Sequence, residues 1–266
     1  MPKSAAPTPA GLDSATRKPA AHTSTPAEPP AFTGFGPRAL DFFKALAFHQ
    51  DKAWFAENRA LYDDEVRAPL VRLLADLTGA FAEQGLPLKA EPKLSIFRLH
   101  RDTRFAKDKR PYKTNGGAVL SRDGSKKSQG FLYVHLDPQG CFMAAGFWQP
   151  EPDETIALRQ AMAARPAAFR NVLSRLEDGK LALGDGDSLS RAPKGFESVD
   201  DPVLAPLLRM RNLIVREPIA DDMIRRADLR DRLVDFATRA EPLLRFGWTA
   251  LDSREPSDKS AHAGRR

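Results

Sequence analysis

The sequence has a single cysteine, Cys141, in 266 residues. One thiol excludes a disulfide within the chain and any metal site built from several cysteines, and we predict no metal site. A lone cysteine fits a reducing compartment, so we predict a cytoplasmic protein. The chain also has no window that approaches the ~20 apolar residues of a membrane-spanning helix, which predicts a soluble protein without a membrane partner.

Several short signatures of chemistry are absent as well. The sequence has no G-x-x-x-x-G-K-[ST] phosphate loop, no G-x-S-x-G nucleophile turn, no H-E-x-x-H and no C-x-x-C. These absences exclude the best-known nucleotide-binding, serine-hydrolase, zinc-protease and thioredoxin-like patterns as explanations of function. They leave the cofactor unknown and the question of catalysis open.

Positive charge is concentrated in one stretch, residues 92–122. This stretch has nine Lys or Arg and two acids, Asp102 and Asp108, whereas the whole chain has 41 basic and 35 acidic residues. The rest of the chain is therefore slightly acidic, and the positive field should be local. Apolar content falls after Asp102, and Pro111 does not fit a regular helix or a central strand, so the sequence predicts an irregular loop over residues 101–114.

Four motifs in the chain are similar to those of a known family. They are R-x-x-R-D-T-R-F-A-K-D-K-R-P-Y-K-T (98–114), G-F-L-Y-V-H-L (130–136), G-F-W-Q-P-E-P (146–152) and R-A-P-K-G-F (191–196). Over about residues 32–247 the chain resembles a widespread group of bacterial and fungal proteins, domain of unknown function 2461. The resemblance implies no activity, substrate or cofactor.

The predicted organisation is one domain between two tails. Residues 1–31 are rich in Pro and Ala, residues 251–266 are charged and unpatterned, and both tails are predicted to be disordered. Residues 32–250 are predicted to form a single α+β domain, an antiparallel or mixed sheet packed against helices from both chain ends. Hydrophobic periodicity predicts the individual elements. Helices are predicted near 37–47, 51–61, 63–83, 154–164, 166–176, 202–210 and 221–245, with breaks at Pro69 and Pro242, and strands near 93–99, 118–121, 131–137, 141–148 and 212–215.

The strand at residues 131–137 has two chemically different faces. Alternation places Leu132, Val134 and Leu136 on one face. Tyr133, His135 and Asp137 fall on the other, together with Phe131. The turn D-P-Q-G that follows predicts an antiparallel hairpin with the next strand.

The basic loop, residues 98–113, is the predicted binding site for an anionic small molecule that carries phosphate or carboxylate. Arginine offers two parallel donors that match these groups, and lysine contributes a point charge. If the site is catalytic, Asp102 or His135 is the predicted acid or base. The predicted ligand-binding residues are Arg98, Arg101, Arg104, Lys107, Lys109, Tyr112, Lys113 and Tyr133.

Two alternatives stay open at this point. A nucleic-acid-binding protein would use the loop on phosphates and its aromatic residues for base stacking, and would present a long exposed basic track. A structural or interaction module would instead use the loop as an internal ionic clasp, in which Asp102, Asp108 and acids from elsewhere pair with the cations one by one. A small-anion site should be a partly enclosed pocket.

Overall fold

The computed structural model describes residues 30–184 and 186–254. Most of each predicted disordered tail, residues 1–29 and 255–266, lies outside the described residues. A π-helical turn, Asp63–Arg67, joins the helix Arg59–Tyr62 to the helix Ala68–Glu83, and a 3₁₀ turn, Met223–Arg225, precedes the helix Leu229–Asp252. The helices of the described part are α1 (Ala39–Phe48), α2 (Lys52–Glu57), α3 (Arg59–Tyr62), α4 (Ala68–Glu83), α5 (Pro92–Ser95), α6 (Pro152–Ala164), α7 (Pro166–Asp178), α8 (Leu204–Leu208) and α9 (Leu229–Asp252).

The strands of the described part form one antiparallel sheet in the order β1-β2-β3-β4. The predicted hairpin is confirmed, because β2 pairs with β3 and the turn between them closes through the Gly140 amide, which donates to the Asp137 carbonyl at 3.0 Å. Helices before and after the sheet pack against it, which confirms the α+β class. The strands are β1 (Gly116–Leu120), β2 (Phe131–Leu136), β3 (Cys141–Phe147) and β4 (Leu213–Ile219).

One face of the sheet is buried under helices. Ala118, Val134 and Met143 are in register across β1, β2 and β3, and all three are fully buried. Helix α9 packs against β3 and α4 packs against β1. The approach of α9 is close, since a Cβ at Gly247 would lie 2.1 Å from the Phe147 ring. This face holds the hydrophobic core that burial of apolar surface stabilises.

The opposite face of the sheet, which we call the open face, carries the polar and aromatic residues. Val119, Tyr133, Ala144 and Arg216 lie in register across the four strands on this side. Tyr133 is half-buried and Arg216 is exposed. Val119 and Ala144 on this side are buried, so a ligand can reach the open face only around its partly or fully exposed side chains, such as Tyr133 and Arg216.

The strand predicted at residues 93–99 is wrong in its first half. Residues 92–95 form the short helix α5, and the extended chain begins at Ile96, which bridges to Ala118 on the edge of β1. The buried Ser95 hydroxyl explains the difference, because it accepts from the Glu91 amide at 3.0 Å and donates to the Gly124 carbonyl at 2.9 Å. The second contact joins residues distant in sequence, and no local pattern reports it.

The two internal prolines behave differently from each other. Pro69 lies in the first turn of α4, directly after the π-helical turn, and the Glu65 carbonyl four residues before it accepts from the Gly36 amide at 3.0 Å. The break predicted at Pro242 is wrong, since α9 continues through it. Ala240 and Leu243 on either side are buried in the core. This packing offsets the roughly 3 kcal/mol that an internal proline costs a helix.

None of the described helices has the length and hydropathy that crossing a bilayer requires.

Candidate functional site

The base of the basic loop is fixed to the core. The Arg101 amide donates to the Pro111 carbonyl and the Lys113 amide to the Leu99 carbonyl, each at 2.8 Å, so the chain leaves and returns as a short ribbon. Tyr112 on this ribbon stacks on Phe55 with ring centroids 4.8 Å apart, and only 3% of its surface is exposed. The structure therefore places Tyr112, a predicted ligand residue, in the core.

Beyond this base, residues 101–110 form what we call the outer loop, in which two carboxylates pair with the three arginines. Asp108 accepts from Arg101 at 2.7 Å and from Arg110 at 2.8 Å, while Asp102 accepts from Arg104 at 2.7 Å. Hydrogen bonds from Arg110 and Arg104 hold the pKa values of Asp108 and Asp102 below the usual range. The outer loop thus has the geometry of the ionic clasp.

The remaining predicted residues of the outer loop lie at its exposed tip. Lys109 donates to the Thr103 carbonyl at 3.0 Å, and Phe105 is 95% exposed. Lys107 forms no ion pair with any residue that the structure describes. Because its pKa is lowered, Asp102 is a weaker base than an ordinary carboxylate.

Two lysines lie beside the Phe97 ring, which contacts Tyr133 on the open face, and we call Lys113 and Lys126 the lysine pair. The Phe97 ring lies beside both, with its centroid 5.3 Å from the Lys113 ammonium nitrogen and 5.7 Å from that of Lys126. Lys126 also donates to the carbonyls of Leu94 and Ile96. Neither lysine forms an ion pair with any carboxylate of the described residues.

The lysine pair is electrostatically unfavourable by itself. Burial lowers the pKa of Lys113, and the positive charges of Arg98 and Arg101 lower it further. Burial likewise lowers the pKa of Lys126, with a further contribution from Lys113. Arg98 is exposed and forms no ion pair in the described part of the chain, although its positive charge contributes to the lowered pKa of Asp102. Within the described residues, no ion pair with a carboxylate offsets the repulsion at the lysine pair.

A chain of polar side chains runs along β2 on the same face. The Tyr133 hydroxyl is 2.7 Å from Nδ1 of His135, and Nε2 of His135 is 3.5 Å from the Asp137 carboxylate. Burial raises the pKa of Tyr133 to about 12 and lowers the pKa of His135, although Asp137 opposes the second effect. Gly117 leaves room for this arrangement, since a Cβ there would lie 2.6 Å from the Tyr133 oxygen.

Aromatic and cationic groups continue the site toward β4. The Phe142 ring stacks on His135 with centroids 4.4 Å apart, and the Arg216 guanidinium lies 3.6 Å from the Phe142 ring centroid. Arg216 forms no ion pair with any residue in the described ranges. The open face thus combines cations with flat apolar surfaces, a surface suited to anions that carry an organic group.

The structure regroups the predicted residues. Of the predicted ligand residues, it brings Lys113 and Tyr133 to the open face together with His135, while the charge of Arg98 contributes to the lowered pKa of Lys113. Sequence reasoning missed Lys126, Phe97 and Arg216 as site residues. Asp137 carried a signal, because alternation already placed it on the face of Tyr133 and His135.

Two other candidates carry less chemistry. A groove of about 720 Å³ lies between α6 and the end of α9. Asp153 and Arg254 in its lining pair with each other at 3.2 Å, and the guanidinium of Arg165, its third charged residue, lies 5.0 Å from the Phe246 ring centroid. Within residues 30–184 and 186–254, no three His, Cys, Asp or Glu side chains converge as metal ligands.

A family model described as "Conserved hypothetical protein (DUF2461)" matches residues 38–246. The chain belongs to this family. The matched range includes the outer loop, the lysine pair and β2. No curated protein and no solved structure matches the chain significantly.

Proposed function

We propose that this member of the DUF2461 family binds a small phosphate- or carboxylate-bearing molecule at the open face, through Lys113, Lys126 and Arg98. The lysine pair carries the proposal, because two half-buried ammonium groups lie beside one ring without a carboxylate partner among the described residues. Placing like charges together away from water costs free energy. A bound anion would compensate that cost.

The outer loop supports this site without supplying its contacts. Arg101 and Arg104 already satisfy their guanidinium groups on Asp108 and Asp102. Their role in the proposal is to hold the loop in shape, and to keep a positive field at the entrance through Lys107 and Lys109. The aromatic rings of Tyr133 and Phe142 would contact the organic part of the ligand.

Nucleic acid is the second candidate partner, and the charge distribution favours it less. A basic track along the outer loop would need free arginines, whereas Asp102 and Asp108 hold three of them. We further propose a reducing compartment such as the cytoplasm, since the free Cys141 thiol is buried and burial raises its pKa, which suits an inert thiol.

Thermal unfolding of the purified protein at fixed ionic strength tests the proposal. Phosphate, sulfate, sugar phosphates, nucleotides, dicarboxylates and short oligonucleotides would each be titrated. A small anion should raise the melting temperature with concentration, by the equivalent of about 2.7 kcal/mol at 100 times its Kd. The rise should disappear in Lys113→Gln and Lys126→Gln.

Arg104→Gln is the matched control, because it removes one positive charge from the self-paired outer loop. It should keep the rise. A rise lost in Arg104→Gln and kept in both lysine variants would place the site in the outer loop. Stabilisation by oligonucleotides alone, with a steep salt dependence, would favour the nucleic-acid alternative. No stabilisation by any anion would contradict the proposal.

A further inference from the structure

We infer that His135 is the acid–base group of this anion site, and that Tyr133 and Asp137 are positioning residues that fix its tautomer. The inference rests on the proposed function and adds a chemical activity to it: the site exchanges a proton with the phosphate- or carboxylate-bearing ligand that it binds. Three observations carry it, namely the order of the polar chain, its position beside the lysine pair and the charges around the imidazole.

The order of the polar chain defines which nitrogen is free to accept a proton. The Asp137 carboxylate only accepts hydrogen bonds, so its position 3.5 Å from Nε2 favours the tautomer with hydrogen on Nε2. Nδ1 then has a lone pair, and the Tyr133 hydroxyl at 2.7 Å donates to it. A carboxylate that orients an imidazole toward a hydroxyl is a general arrangement for moving a proton.

The row of polar side chains on β2 ends, at Tyr133, next to the lysine pair. The Phe97 amide donates to the Gly117 carbonyl at 3.0 Å, and Gly117 is the registered partner of His135. The Phe97 ring in turn meets the Tyr133 ring edge-on, with centroids 5.9 Å apart, and both lysines lie beside Phe97. An anion on the lysine pair would therefore adjoin the Tyr133 end of the chain.

The charges around His135 determine the direction of proton exchange. Tyr133 and Asp137 face it from its own strand, Arg216 faces it from β4 across Phe142, and Gly117 on β1 brings no side chain. Burial and Arg216 disfavour the imidazolium, and Asp137 favours it. A bound anion adds negative charge, so binding should raise the pKa of His135 and take up a proton.

A ligand with an acidic hydroxyl could supply that proton itself. For a phosphate monoanion, the ligand O–H bond would break as a new O–H bond forms on Tyr133, while the original Tyr133 proton passes to Nδ1. The ligand becomes a dianion held by the lysines, and His135 becomes an imidazolium beside Asp137. Charge and atoms balance, and Tyr133 ends the step neutral.

Sulfate is the probe for the test, because it stays a dianion over the whole range in which histidine titrates, roughly pH 5–8. Calorimetry in two buffers of different ionisation enthalpy measures the protons taken up on binding. We expect a fraction of a proton per sulfate near neutral pH. The affinity should fall as pH rises, by at most about tenfold for each unit by which binding raises the pKa of His135.

Three variants separate the roles. His135→Gln should bind sulfate without proton uptake, and His49→Gln, which changes an exposed histidine stacked on Trp54, should keep the uptake. Tyr133→Phe should still bind sulfate, but nitrogen NMR should show that His135 Nδ1 has lost its hydrogen bond. Asp137→Asn replaces a carboxylate, which only accepts hydrogen bonds, with an amide that can also donate to Nε2. This variant should not reproduce the wild-type tautomer.

The outcomes distinguish the two proposals. Sulfate binding without proton uptake, or uptake that persists in His135→Gln, would overturn this inference and leave anion binding intact. An absence of binding by sulfate and by every other anion of the thermal titration would overturn both. Uptake confined to proteins that retain His135, with the hydrogen on Nε2 in the free state, would support it.

Discussion

The outer loop and the lysine pair are both rich in positive charge, yet they differ in how that charge is compensated. In the outer loop, Arg101 and Arg104 each lie 2.7 Å from a carboxylate oxygen. At the lysine pair, Lys113 and Lys126 lie beside the same aromatic ring and have no carboxylate partner in the described residues. The outer loop is exposed, whereas the lysine pair is half-buried.

The difference has a local cause. The outer loop contains D-x-R twice, Asp102 to Arg104 and Asp108 to Arg110. In both copies the aspartate accepts from the arginine amide two residues on, at 3.2 and 3.0 Å, and also binds its guanidinium. This is the turn geometry that aspartate favours, closed by an ion pair. A dense run of cations can therefore be structural, and the cations that lack such a neighbour are the better candidates for ligand binding.

The largest expected effect on stability is at the base of the outer loop, where Tyr112 packs into the core. Tyr112→Ala removes a buried ring stacked on Phe55 and should lower the free energy of unfolding by about 3 kcal/mol. Phe105→Ala, at the 95% exposed tip of the outer loop, should change it by less than about 0.5 kcal/mol. Urea unfolding measures both. Equal losses would mean that the tip of the loop is as well packed as its base.

A smaller effect of opposite sign is expected at the lysine pair. Because the pKa of Lys113 is lowered, its charge opposes folding below the folded-state pKa, and the cost fades as pH rises toward the ordinary value of 10.5. Lys113→Met should therefore stabilise the anion-free protein at pH 7, by about 0.5 kcal/mol, after allowing for screening by water at this half-open site. The gain should shrink near pH 10.

Arg104→Met is the control for this prediction, since it leaves Asp102 without its partner. It should give no gain in stability at either pH. Thermal melts without added phosphate or sulfate would compare the two variants. A loss of stability in Lys113→Met would mean that its contact with Phe97 outweighs the repulsion, and that the lysine pair is structural like the outer loop.

The smallest expected effect concerns the acids of the outer loop. The pKa of Asp108 is lowered, so its ion pairs contribute stability above the unfolded pKa of about 3.9 and lose it as pH falls below that value. Asp108→Asn should lower the melting temperature slightly at pH 6, and the difference from wild type should vanish in strong acid. The difference in melting temperature at pH 6 should be smaller in high salt.

Asp64→Asn is the matched control, because Asp64 is exposed and forms no ion pair with the described residues. Its melting temperature should follow that of the wild type at every pH. A pH dependence in Asp108→Asn that equals the wild-type curve would show that the outer loop's ion pairs add nothing to folding.

The sequence predicted the fold best where a pattern was local and repeated. The alternation on β2 and the following turn were enough for the hairpin, since side chains in a strand change faces at every residue. It failed where one distant contact decided the backbone, as at Ser95 with Gly124, and where packing outweighed a lost hydrogen bond, as at Pro242. Such contacts leave no periodic trace.

By itself the sequence determined the family, the α+β class, the position of the basic stretch and the shared face of Tyr133, His135 and Asp137. Only the tertiary structure decided which cations remain unpaired, because that depends on which side chains the fold brings near them. The fold buries the Tyr112 side chain in the core, and it places Lys126 beside the same Phe97 ring as Lys113. Charge can be read along a chain, whereas its compensation is a property of distances in space.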